Sequence, residues 1–167
     1  MKKLVVYYSY EGSTKLISET IAKAVIADLL EIKPEKEMTS KGFMKFVWGG
    51  SQVMMGKKPP LKPLARDPSE YDMIFIGTPV WNFSLTPPIK TFVEDHLPEG
   101  KKVAFFCSFD GNSGKTFERL EKACRGSEVL GTQEFLSTQK NNSDAILRQA
   151  VDWARSIFPR KQDGILL

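Results

Sequence analysis

The chain has 167 residues, 41% of them hydrophobic and 26% charged, the balance expected of one globular domain (1–167) with a substantial core. No apolar run approaches the ~20 residues that span a bilayer, and the stretch behind Met1-Lys2-Lys3 is too short for a signal peptide, so a cytoplasmic location is expected. One histidine, His96, and two distant cysteines, Cys107 and Cys124, argue against a metal centre, a Ser-His-Asp hydrolase or a disulfide framework, and the formal charge of +4 gathers in one segment.

Residues 4–8 are apolar, β-branched or aromatic, as in a strand buried on both faces. After a turn at 9–12, apolar positions at Leu16, Ile17, Ile21, Ala24, Val25 and Leu29 predict one face of a helix. A short second strand follows near 30–33. Residues 38–66 then carry six basic side chains (Lys41, Lys45, Lys57, Lys58, Lys62, Arg66) and no acidic one. Phe43, Phe46, Val47, Gly50, Val53 and Met54 fall there at helical spacing, which predicts a helix packed on the sheet. The lysines then form a solvated face, or alternatively a docking patch for an acidic partner or an NADPH phosphate. Four prolines mark 57–68 as an extended connection.

The third strand is expected at 73–77 and a helix at 87–95, opened by Pro87-Pro88, whose missing amide protons cost nothing in a first helical turn. The fourth strand is expected at 103–107, a helix at 115–124, the fifth strand at 129–136 and a last helix at 143–158. The apolar face of that last helix is Ala145, Ile146, Ala150, Val151, Trp153, Ala154 and Ile157. Alternation of this kind implies βαβ units and a five-stranded parallel sheet in a three-layer α/β/α arrangement, with strand order 2-1-3-4-5.

In such a sheet ligands bind beyond the C-terminal strand ends. The loop after the first strand, Ser9-Tyr10-Glu11-Gly12-Ser13-Thr14, offers three hydroxyls, a glycine for a tight turn and a helix N-terminus that favours an anion; alternatively Ser13 is only an N-cap. The loop after the third strand, Thr78-Pro79-Val80-Trp81-Asn82-Phe83, places two aromatics two residues apart. They present flat faces to a planar ring or pack as a lid on the sheet edge. The loop after the fourth, Ser108-Phe109-Asp110-Gly111-Asn112, is small enough for close backbone approach, or is an ordinary turn with a helix cap.

At these residues the chain resembles the flavodoxin family. Residues 9–14 are similar to its phosphate loop, usually Thr/Ser-x-Thr/Ser-Gly-x-Thr, with Glu11 where a hydroxyl is usual. Gly77-Thr78-Pro79-Val80-Trp81 resembles a flavin loop of flavodoxins and related quinone reductases, and 108–112 sits where the other lies. The resemblance covers nearly the whole chain and implies FMN, its phosphate on the first loop and its isoalloxazine ring on the other two. Trp81 would stack on the ring, helped by Phe83 or Phe109. No insertion splits the fifth strand, as in short-chain members, whereas the basic charge departs from a usually acidic family.

Three functions follow from that resemblance. The first is an electron carrier whose partner is another redox protein, met at Lys41, Lys45, Lys57 and Lys58 if that partner is acidic. The second is an NAD(P)H-dependent FMN or quinone reductase using the same site. The third is a binding module without redox activity. The absence of a recognisable nicotinamide motif favours the carrier, and basic residues confined to one segment without a readout motif argue against nucleic acid.

Overall fold

Strand and helix alternate along the chain: β1 (Lys3–Tyr7), α1 (Ser13–Val25), β2 (Asp28–Glu31), β3 (Met73–Pro79), α2 (Pro87–Asp95), β4 (Lys102–Phe109), α3 (Thr116–Ala123), β5 (Glu128–Leu136) and α4 (Ser143–Ser156). The computed structural model describes residues 1–36, 56, 58–124, 126–139 and 141–158. Lys41, Lys45, Lys57 and the apolar stripe expected at 43–54 lie outside the described residues. Among the described residues no helix is long and apolar enough to cross a membrane.

The five strands form one sheet in the order β2-β1-β3-β4-β5, every pair parallel. Successive side chains of a strand point to opposite faces, so each strand feeds two cores. Leu4, Val6, Ile74, Ile76 and Phe105 meet Ile89 and Phe92 of α2 and Leu120 of α3 on one face. Val5, Phe75, Ala104 and Phe106 meet Ile17 and Ile21 of α1 and Ala150 and Ala154 of α4 on the other. Each large side chain buried this way contributes about 1.5–3 kcal/mol, so the double-sided strands anchor the sheet. Trp153 of α4 seats edge-on against Phe75, Phe106 and Phe135.

Three sequence expectations shift. Helix α1 stops at Val25 because Ile26 turns left-handed (φ 54°) and its N–H closes on the Ala22 carbonyl; Leu29 therefore belongs to β2, and Leu16 is left 38% exposed. Strand β2 begins at Asp28 rather than Leu30, while Lys33 and Glu35 pair instead with the far flank of the basic segment. There Lys62 N–H donates to Lys33 O (2.8 Å) and Glu35 N–H to Pro60 O (2.9 Å). On α4, Ile146, Ala150 and Ala154 are buried but Ala145 is exposed.

Strands β3 and β4 continue past their apolar stretches through Thr78-Pro79 and Ser108-Phe109. That extension carries polar residues to the C-terminal edge of the sheet without breaking the β3–β4 ladder, which runs to Pro79 opposite Ser108.

Candidate functional site

Because all five strands run the same way, the loops after β1, β3, β4 and β5 emerge at one edge. They enclose a cleft of about 200 Å³. The first loop contributes Tyr10, Glu11, Ser13 and Thr14; the second Pro79, Val80 and Trp81; the third Ser108, Phe109 and Asp110; and Ser137 closes it from beyond β5.

The first loop turns sharply at Gly12 (φ 98°), a backbone geometry that a side chain strains. Gly12 is the N-cap of α1, so Ser13 is the first helical residue and not the cap. Gly12 has no side chain to cap the helix and no acidic residue lies in its first turn, so the positive end of its dipole is not offset by a carboxylate of its own. Ser9 lies outside the lining; its Oγ accepts the Lys15 N–H (3.2 Å) and so shapes the loop. Ser13 and Thr14 are buried, and their hydroxyls reach other loops: Thr14 Oγ1 to Ser108 Oγ (2.7 Å), Ser13 Oγ to Ser137 Oγ (2.9 Å).

The second loop is held from beneath by Thr78, whose Oγ1 accepts the Thr86 N–H (3.1 Å). Trp81 and Ser84 exchange both backbone hydrogen bonds (2.9 and 3.0 Å), closing a two-residue turn with Asn82 and Phe83 at φ 48° and 59°. This turn carries Asn82 and Phe83 out of the cleft, with Phe83 60% exposed. Its backbone lies on Gly114 (φ 59°), where an added Cβ would come within 2.3 Å of Phe83 Cβ. Phe83 is therefore not positioned beside Trp81 as a ring contact. Trp81 stays at the cleft, its ring edge-on to Tyr8 (5.5 Å, 88°) and Tyr10 (5.8 Å, 84°).

In the third loop, Ser108, Phe109 and Asp110 line the cleft, and Ser108 O receives the Val80 N–H (2.9 Å). Gly111 and Asn112 do not line it. Asn112 Oδ1 instead accepts the Gly114 N–H (2.6 Å), so this stretch is a side-chain-supported turn ahead of α3.

Ser137 was not among the residues expected from the sequence. The hydroxyl-rich run Ser137-Thr138 directly after the last strand was its signal. Among the described residues the charged side chains lining the cleft are Glu11 and Asp110. Cys107, one residue before Ser108, is a free thiol pushed up to about 12 by burial, with Glu134 adding to the shift, and so is no nucleophile. His96 ends α2, stacked on Phe92. Hydroxyls and a helix start whose N-cap is a glycine at one end and aromatic rings at the other suit a planar ring system bearing a phosphate.

A sequence-family profile described as "Flavodoxin" matches residues 2–148. No curated protein matches the chain. A crystal structure from Bacteroides eggerthii DSM 20697, provisionally described as a flavoprotein, is 27% identical, with TM-score 0.72 over 92% of this chain and 97% of that one. A Lactobacillus acidophilus NCFM flavoprotein, solved in complex with FMN, is also 27% identical, with TM-score 0.62 over 80% of this chain and 92% of that one. The two-electron reduced flavodoxin of Megasphaera elsdenii, at 19% identity and TM-score 0.58, covers 91% of this chain and 97% of its own, and shares the fold.

Proposed function

The chain belongs to the flavodoxin family, and from that premise we propose that it binds FMN in the cleft and serves as an electron carrier. The FMN-bound relative supports the cofactor. The observation that carries the reading is the pairing, in one cleft, of a helix start whose N-cap is a glycine, flanked by buried hydroxyls, with the ring of Trp81.

Ser13, Thr14 and the backbone at Gly12 hold the phosphate, with neutral donors and the α1 dipole in place of a cation. Ser9 keeps the loop in shape through its bond to the Lys15 N–H. Trp81 and Tyr10 flank the ring, and Val80, Ser108, Phe109 and Asp110 border it from the neighbouring loops. Thr78 acts from beneath by fixing the start of the second loop. A volume of about 200 Å³ is below the ~300–1,000 Å³ of pockets that engulf a drug-sized ligand, so part of the cofactor stays at the surface, open to a partner. Bound FMN supplies one- or two-electron chemistry.

The carrier is our reading over a reductase on the sequence, in which no nicotinamide-binding motif is recognisable. The partner we propose is an acidic redox protein, steered by Lys41, Lys45 and Lys57. Lys58 is withdrawn from that role by its ion pairs with Asp95 (2.6 Å) and Glu94 (3.6 Å). Anaerobic addition of NADH or NADPH to the FMN-loaded protein is the test: slow or no bleaching is expected, and bleaching at catalytic rates makes the protein a reductase.

A further inference from the structure

The loop after β5 makes contacts with the phosphate loop that the family resemblance did not lead us to expect. Ser137, buried and lining the cleft, has its Oγ 2.9 Å from Ser13 Oγ. Thr138 Oγ1 donates to the same Ser13 oxygen at 3.2 Å. Gln139 Nε2 donates to the Glu11 carbonyl at 2.6 Å and lies 3.4 Å from where a Cβ on Gly12 would sit. Three consecutive residues from one loop thus bond the two residues, Glu11 and Ser13, that flank Gly12 in another.

A serine hydroxyl has one proton to give and two lone pairs to receive with. Thr138 fills one lone pair of Ser13. If Ser137 fills the other, the remaining capacity of Ser13 Oγ is its own proton, directed to whatever acceptor enters the cleft. Oxygen that already accepts two hydrogen bonds is also a stronger donor, because chains of such bonds polarise one another. Gln139, by donating to the Glu11 carbonyl, fixes the Glu11–Gly12 peptide from which the helix start follows.

We propose that Ser137, Thr138 and Gln139 are positioning residues for phosphate recognition. Ser137 and Thr138 commit the Ser13 hydroxyl to donating, and Gln139 locks the turn that presents it. The proposal rests on the reading of the cleft as an FMN site and adds a fourth loop to it.

The test compares FMN and riboflavin affinities, by flavin fluorescence quenching, for wild type, Ser137→Ala with Thr138→Val, and Gln139→Ala. The first variant is expected to weaken FMN about tenfold, the equivalent of one hydrogen bond, and to leave riboflavin unchanged. In a Ser13→Ala background the same pair of changes is expected to cost nothing further, an effect that a general loosening of the fold would not produce. Ser137→Thr, which keeps the hydroxyl, is expected to restore FMN binding. Gln139→Ala lies at an exposed position where folding is not at stake, and is expected to weaken FMN selectively as well. Equal losses for both flavins, or undiminished losses in the Ser13→Ala background, overturn the proposal. Wild-type protein that does not prefer FMN over riboflavin overturns the site reading itself, and this proposal with it.

Discussion

Tyr10 and Trp81, from different loops, meet edge to face with ring centroids 5.8 Å apart at 84°. Both line the cleft, so this contact joins its first loop to its second. A planar ring bound against Trp81 replaces or displaces that edge contact, which makes Trp81 the residue whose loss is felt most by the ring and least by the phosphate. Trp81→Ala is expected to weaken FMN and riboflavin by a similar factor, corresponding to about 0.5–1.5 kcal/mol, and to shift the FMN reduction potential. Wild-type affinity and potential in this variant would reduce Trp81 to a lid over Tyr8.

Glu11 is exposed at the cleft, one residue before the glycine at the N-cap of α1. Its negative charge opposes a phosphate there, whereas a hydroxyl would add a donor. Glu11→Thr is expected to tighten FMN binding roughly two- to fivefold at low salt, in line with about 0.3–1 kcal/mol for a charge near a helix terminus. The gain should shrink as salt is raised, and riboflavin should bind as before. A titration series across ionic strength checks both points.

Burial pushes the thiols of Cys107 and Cys124 up from 9.0 to about 12, and the Tyr7 hydroxyl up from 10.0 to about 12, Glu31 and Glu19 adding to the latter. The folded protein keeps these protons where the unfolded chain releases them. Their contribution to stability is therefore complete below the unfolded values and is lost as pH rises towards about 12, each group acting with a slope of up to ~1.4 kcal/mol per pH unit. Urea unfolding is expected to show stability falling above about pH 9, and falling less steeply in Cys107→Ala/Cys124→Ala. An unchanged slope in that variant would mean that the thiols titrate alike in both states.

The proposed steering by Lys41 and Lys45 is a kinetic effect. A melting curve separates this from any effect on the fold: steering alone expects Lys41→Glu/Lys45→Glu to melt near the wild-type temperature. Stopped-flow electron transfer from an acidic donor should slow and lose much of its salt dependence, since such attraction is screened over about 8–10 Å. Identical rates and salt slopes would return these lysines to a solvated surface.

Periodicity made most of the fold legible. The helix at Pro87–Asp95 matches its prediction residue for residue, because two prolines fix its start and His96 breaks the pattern at its end. Strand ends were less legible. The apolar pattern stops at Gly77 and Cys107, but β3 and β4 run on through Thr78-Pro79 and Ser108-Phe109, whose backbones pair while their side chains turn polar. Leu16 fits the helical spacing of the apolar face, yet it is 38% exposed, because the buried seam of α1 runs through Ile17, Ile21 and Val25 and leaves Leu16 at its edge.

In the site, the tight turn of the first loop was legible because Gly12 supplies the left-handed backbone that joins strand to helix, and it brings Tyr10, Glu11, Ser13 and Thr14 to the cleft. Phe83 could not be placed, since nothing in the sequence announces that Asn82 and Phe83 both adopt left-handed backbone and turn outward over Gly114. The part played by Ser137 depends on β5 ending level with β4, Leu136 opposite Phe109, which is a matter of register rather than composition.

The central claim, that the start of α1 recognises a phosphate carried on a flavin, is tested most directly by titrating the apo-protein with FMN and with riboflavin, for wild type and Gly12→Val. A β-branched residue is strained at φ 98°, so the variant loses the turn. Wild type is expected to bind FMN at least about tenfold more tightly than riboflavin, the worth of one charge-assisted hydrogen bond. Gly12→Val should remove most of that difference while riboflavin binds as before. Equal affinities of the wild-type protein for the two flavins would contradict the account.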